Sequence, residues 1–161
     1  MRLWHKDLIR GLPRQQLLSQ WRECCCIAKN IKEKGMPNHI LVNKIMNYPI
    51  SHFIYYTALV CIEMHKRGYK VNTTKFCLTE SCTNIAHDEV FENWHNDRYM
   101  EQCYFNLQEK WDCGGVLEDE WEKFEQVYMN ERYNYSEEDW EEVQKKGKLM
   151  PWMHNLEYKI K

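Results

Sequence analysis

Leu17, Trp21, Cys24, Ala28 and Ile31 recur at intervals of four and three residues. At 100° per residue they fall within about 40° of one line, which is the core stripe of an amphipathic helix. Gln15, Ser19, Arg22 and Cys26 stack on roughly the opposite face, and Glu23 lies on the flank, about 120° from the stripe. Pro13 suits the first turn of this helix, and Gly35-Met36-Pro37 ends it. A second segment begins near Pro49 and runs from Ile50 to Gly68, apolar almost all round. It predicts a central buried helix, with Lys66 and Arg67 at the carbonyl end and Gly68 as the C′ residue. A strand fits the apolar run too, but its length and stop signal favour the helix.

Residues 73–87 show no period and read as a loop. A third helix is predicted from about Asp88 to Trp111, with Met100, Cys103, Leu107 and Trp111 on one face, ending before Gly114-Gly115. Leu117, Trp121, Phe124 and Tyr128 mark a short fourth helix. Ser136-Glu137-Glu138-Asp139 has the form of a capping box opening a fifth, which Gly147 stops. Nothing repeats internally. The pattern predicts an all-α fold: a compact single-domain helical bundle around the apolar helix, with residues 1–115 as the main domain and 116–161 as an acidic helical extension packed on it.

Composition narrows this further. With 161 residues, 43% hydrophobic and 14% aromatic, the chain can bury one core and is not of the disordered class. Six Gly and four Pro are too few for a sandwich or barrel rich in turns. No run of about 18 uncharged apolar residues exists to cross a membrane. The Met1-Arg2-Leu3-Trp4-His5-Lys6-Asp7 start has no apolar signal region, so an intracellular, cytoplasmic protein is expected. Eight cysteines in that setting read as buried reduced thiols. The Cys77-x4-Cys82-x4-His87 spacing lacks the second clustered pair of a zinc site, so no metal and no cofactor is expected.

Charge changes the picture most. The overall net charge of −2 conceals 13 Lys+Arg against 4 Asp+Glu in residues 1–75, and 9 against 20 in residues 76–161. The first half is therefore suited to a polyanion. Residues 118–142, with 11 acids and 2 bases, read as a solvated helical face, or alternatively as a DNA mimic or partner surface. No phosphate-binding glycine loop, zinc-protease helix motif or nucleophile elbow is present. On sequence alone, Arg22-Glu23 is an ordinary surface pair, Trp4 an anchoring aromatic, His5 a surface histidine and His39 a loop cap, with a place near the site as the alternative for Trp4 and His5. Lys66 and Arg67 serve the helix end.

The residues nevertheless resemble a known family. Met1-Arg2-Leu3, Gln15-x-Leu17 followed by Trp21-Arg22-Glu23, His39, and Glu63-x-x-Lys66-Arg67-Gly68-Tyr69-x-Val71 stand in the order and near the offsets of the pyrimidine-dimer DNA glycosylases typified by phage endonuclease V. The resemblance covers residues 1–70, and more faintly 88–115. It implies a repair-type glycosylase with abasic lyase activity, acting as a monomer on double-stranded damaged DNA in a bacterial or phage-infected cell. The nucleophile it implies is the α-amine of Met1. Such an amine ordinarily titrates near 7.7–8.0, so about a tenth to a sixth is neutral at pH 7. It attacks the sugar C1′, expels the base and leaves an imine, after which elimination of the 3′ phosphate nicks the strand. Glu23 is implied as the group that stabilises the cationic sugar and moves protons. Arg2 and Arg22 are implied as phosphate contacts, and Arg14, Gln15 and His39 as further DNA contacts.

Three departures stand beside the resemblance. The alignment needs one extra residue before Gln15, which puts Met1 itself at the nucleophile position, and Arg2 should block its removal. Cys26 occupies the place of a basic residue three positions after the glutamate. The family's aromatic, basic tail has only Pro151-Trp152-Met153-His154 as a candidate match. Two alternatives remain: a glycosylase for another modified base, and a non-catalytic DNA- or protein-binding module on the same fold.

Overall fold

The computed structural model describes residues 2–78, 85–136, 138, 139 and 141. Four long helices carry it: α1 (Arg14–Lys34), α2 (Ile50–Lys66), α3 (Asp97–Asp112) and α4 (Glu118–Tyr133). Short 3-10 turns span Lys6–Gly11, Asn43–Asn47, Thr73–Lys75 and His87–Glu89, and no strand occurs among the described residues. The all-α expectation is borne out. No described helix is long and apolar enough to cross a membrane.

The helix signals act where the sequence puts them. Pro13 precedes α1, and Gly35 ends it at φ 76° with its N–H on the Ile31 carbonyl at 2.9 Å. Leu17, Trp21, Cys24 and Ala28 are buried and Ile31 is partly buried, as the stripe requires. Gly68, at φ 75°, closes α2 with its N–H on the His65 carbonyl at 2.9 Å. Buried Phe53, Tyr56, Thr57, Val60, Glu63 and Met64 fill one face of α2. The helix is not buried all round, since Ile62 is 52% exposed.

The third helix starts nine residues later than its apolar pattern implied, at Asp97 rather than Asp88. Phe91 and Asn93 lie at φ 54° and 65°, conformations that an α-helix cannot contain. Asn96 then caps the true start by accepting the Tyr99 N–H at 3.0 Å. Ser136 and Asp139 do exchange capping-box bonds, Ser136 N–H to Asp139 Oδ2 at 2.8 Å and Asp139 N–H to Ser136 Oγ at 3.2 Å. Residues 138, 139 and 141 are helical, and the remainder of the expected fifth helix, with Gly147, lies outside the described residues, as does the 151–154 segment.

The least regular piece of the chain holds the bundle together. Residues 3–6 run through the interior, with Leu3, Trp4, His5 and Lys6 all buried. His5 is 2% exposed, which corrects its reading as a surface residue; it stacks on His95 at 5.1 Å. The following 3-10 turn lies so close to α4 that a Cβ on Gly11 would stand 2.9 Å from Val127 Cβ. On its other side the Arg67 guanidinium donates to the carbonyls of Leu12 at 2.6 Å and Arg10 at 2.9 Å. The α3–α4 seam is aromatic, with Tyr104 on Tyr128 at 4.1 Å and Trp111 on Trp121 at 4.9 Å.

Only Cys24 and Cys103 of the described thiols are buried; Cys25, Cys61 and Cys77 are half-buried, Cys26 and Cys113 are exposed, and all seven are free. Burial pushes Cys24 up to about 12, so it is an inert thiol at neutral pH. Cys82 lies outside the described residues, and the His87 ring pairs with Asp7 at 2.6 Å.

Candidate active site

Amide groups along the buried N-terminal segment meet side chains rather than backbone. The N–H of Arg2 donates to Glu23 Oε2 at 3.0 Å, that of Trp4 to Gln20 Oε1 at 3.0 Å, and that of Lys6 to His95 Nδ1 at 3.0 Å. The Leu3 carbonyl accepts from the Tyr99 hydroxyl and the Trp4 carbonyl from the Tyr56 hydroxyl at 2.9 Å. Burial pushes both phenols upward, so they remain donors throughout the ordinary pH range. Buried backbone polar groups need partners, and here three helices and the turn before α3 supply them. Arg2 is thereby held against the flank of α1 at Glu23.

Beside this contact lies a groove of about 470 Å³. Glu23, Ser19, Gln16 and Gln15 line it from α1, Arg2 and Trp4 from the N-terminal segment, Leu41 from the α1–α2 connection, and Asn106 and Lys110 from α3. The Lys110 ammonium stands 5.7 Å from the Trp4 ring centroid, where a cation is attracted by the ring face. Farther along α1 a second hollow of about 800 Å³ shares Gln15, Gln16 and Ser19 with the first and adds Arg14 and Arg22. The two form one trough along the polar side of α1.

Six of the seven site residues singled out in the sequence are described. Arg2, Gln15 and Glu23 meet in the first hollow; Arg14, Gln15 and Arg22 line the second. Exposed Arg22 has no ion-pair partner among the described residues. Arg14 differs, because the Glu120 carboxylate accepts its backbone N–H at 2.7 Å and brings an acid to that end of the trough. Arg2 is half-buried: burial raises the Cys103 thiol, and the Arg2 guanidinium beside it offsets part of the rise. His39 is not in the trough. Its Nδ1 accepts the Leu41 N–H at 3.3 Å, which is the loop-cap geometry. Met1 lies outside the described residues.

Sequence reasoning did not reach Gln20, Tyr56, His95 and Tyr99, which fix the N-terminal segment, nor Asn106 and Lys110 in the groove. Gln20 left one signal, a polar residue one position from the core stripe. Tyr56, His95 and Tyr99 are 52 to 96 residues away from their partners in sequence.

No curated protein and no solved structure matches the chain. The family model described as pyrimidine dimer DNA glycosylase does match it, over residues 1–76. That span contains the N-terminal segment, α1 and α2, and so carries Arg2, Glu23 and Arg22, whereas Asn106 and Lys110 lie beyond it. The resemblance read from the sequence is borne out: over residues 1–76 this chain is similar to the pyrimidine dimer DNA glycosylase family.

Proposed function

We propose that the protein is a DNA glycosylase with abasic lyase activity, which removes a damaged pyrimidine through an imine formed by the α-amine of Met1. The observation that carries this is the 3.0 Å bond from the Arg2 N–H to Glu23 Oε2. Arg2 follows Met1 in the chain, so this bond ties the proposed acid–base group to the sequence neighbour of the proposed nucleophile. A carboxylate bonded to that neighbour, at the edge of a groove with two cations, supports imine chemistry on a phosphodiester chain.

The neutral amine uses its lone pair to attack C1′, and the C1′–N bond to the base breaks with the electron pair leaving on the base, which takes a proton. The sugar ring opens as the C1′–O4′ bond breaks, giving a protonated imine with O4′ as a hydroxyl. Removal of a C2′ proton then lets the C3′–O bond break, and the 3′ phosphate departs with the bonding pair. In this reading Glu23 gives and takes these protons and offsets the positive charge on the sugar. Arg22 and Arg2 hold flanking phosphates, and the duplex must open to bring C1′ into the groove.

Borohydride reduces an imine to a stable amine, so it should cross-link the protein to abasic-site DNA through its first residue. A form with added N-terminal residues should lose most of the cross-link. Equal trapping of both forms, or an adduct that maps to a lysine such as Lys110, would overturn the assignment of the nucleophile.

A further inference from the structure

Between α1 and α2 the chain exposes large apolar side chains: Ile40 at 83%, Leu41 at 51%, and Met36 and Met46 at just under half. Grouped apolar exposure of this kind marks a binding surface. The turn that presents Ile40 and Leu41 is firmly built. Pro37 and Val42 are buried on either side of it. The Asn30 side-chain amide donates to the Pro37 carbonyl at 3.2 Å, and Asn43 Oδ1 accepts the His39 N–H at 3.1 Å. The His39 carbonyl takes the N–H groups of Val42 and Asn43 at 3.0 and 2.9 Å, and its ring takes that of Leu41. These bonds turn Val42 inward and hold Ile40 and Leu41 outward.

Leu41 also lines the groove that holds Arg2 and Glu23. The apolar tip is therefore one wall of the trough where the proposed chemistry takes place. We propose that Ile40 and Leu41 form a wedge that enters the base stack of a DNA duplex as a nucleotide is drawn out toward Glu23, a role that rests on the glycosylase reading above. Extruding a nucleotide leaves a gap in the stack, and apolar side chains inserted at a base step keep it open and kink the duplex. The occupant is nucleic acid rather than a protein face, because the tip is continuous with a groove carrying Arg2 and Lys110 and is followed by exposed Lys44. His39 is a positioning residue for the wedge, acting through the Leu41 N–H.

The test uses a duplex with a tetrahydrofuran abasic analogue and 2-aminopurine as its 3′ neighbour, titrated with the full chain and with an Ile40→Ser/Leu41→Ser variant. Both side chains are exposed, so an unchanged melting curve is expected and verifies that the variant is folded. Wild type should raise the 2-aminopurine fluorescence as the step unstacks, and the variant should not. The variant should also bind this duplex about tenfold more weakly, equivalent to roughly two methylenes left unburied. An equal rise from both proteins, or none from wild type, overturns the wedge. So does a wild-type dimer that the variant dissolves, since the patch would then join two copies. Borohydride trapping separates the two readings: trapping without a fluorescence rise removes the wedge alone, and absence of both trapping and binding removes the glycosylase reading with it.

Discussion

Glu23 holds two jobs that a single substitution can part. Its carboxylate accepts the Arg2 N–H, which holds Arg2 against α1, and it is the acid–base group of the proposed reaction. Glutamine keeps an oxygen that accepts the same N–H but has neither charge nor useful basicity. Glu23→Gln should therefore fold and keep Arg2 in place, while strand nicking falls by about 10²–10⁴, the usual worth of a positioned acid–base group. Affinity for DNA should hold or tighten slightly, because one negative charge has left the groove. Normal nicking by the variant would reduce Glu23 to a structural acceptor, and loss of the fold would mean that its charge anchors the N-terminal segment. Helical phase put Glu23 off the core stripe, but only the family resemblance set it apart from an ordinary surface pair with Arg22. What it bonds to was not legible, since the partner is a backbone amide 21 residues away.

At the scale of elements, the regular pieces announced themselves and the irregular one did not. Pro13, Gly35 and Gly68 act locally, so α1 and the end of α2 could be read from neighbouring residues. The late start of α3 could not, because left-handed Phe91 and Asn93 interrupt an apolar pattern that continues through them. Residues 2–6 have no period at all; the N–H groups of Arg2, Trp4 and Lys6 are satisfied by distant side chains on α1 and on the turn before α3. The His5–His95 pair at the end of this segment makes its anchoring sensitive to pH. Burial pushes His5 below its ordinary 6.5, with Asp7 drawing partly the other way, and burial, then His5 and Lys6, push His95 well below it. Neutral His95 Nδ1 is the acceptor of the Lys6 N–H. Above about 6.5 neither the folded nor the unfolded chain binds protons at these rings, and the full stability is present. Below that the unfolded chain takes up protons that the folded chain refuses, so stability falls as pH drops toward the lowered folded values, by up to about 1.4 kcal/mol per pH unit for each ring. Melting temperature should decline between pH 7 and 5, and His95→Gln, which keeps an acceptor for Lys6, should flatten the decline. A variant with the wild-type slope would show that His95 does not control it.

At the scale of the whole molecule, the near-neutral total hides a division that the fold puts to use. The basic half supplies α1 and the N-terminal segment, hence Arg2, Arg14 and Arg22 along the trough; the acidic half supplies α4, which packs behind the 3-10 turn at Gly11 and touches the trough only at Glu120. A polyanion therefore meets mostly cations along α1, although the protein as a whole carries −2. Binding that neutralises several phosphates releases condensed counterions, and log affinity then falls linearly with log salt at about 0.9 per phosphate neutralised on duplex DNA. Arg22 is exposed and has no ion-pair partner among the described residues, so it is free to take one phosphate. Arg22→Ala should lower the salt slope by about one while weakening binding to damaged and intact duplex alike, because a phosphate contact carries no sequence or lesion information. Measuring affinity across a salt series for both proteins decides it. A flat response in wild type would mean that the trough is not the DNA face, whereas a steep response untouched by Arg22→Ala would move the contacts to other cations, with Lys110 and Arg14 the next to replace.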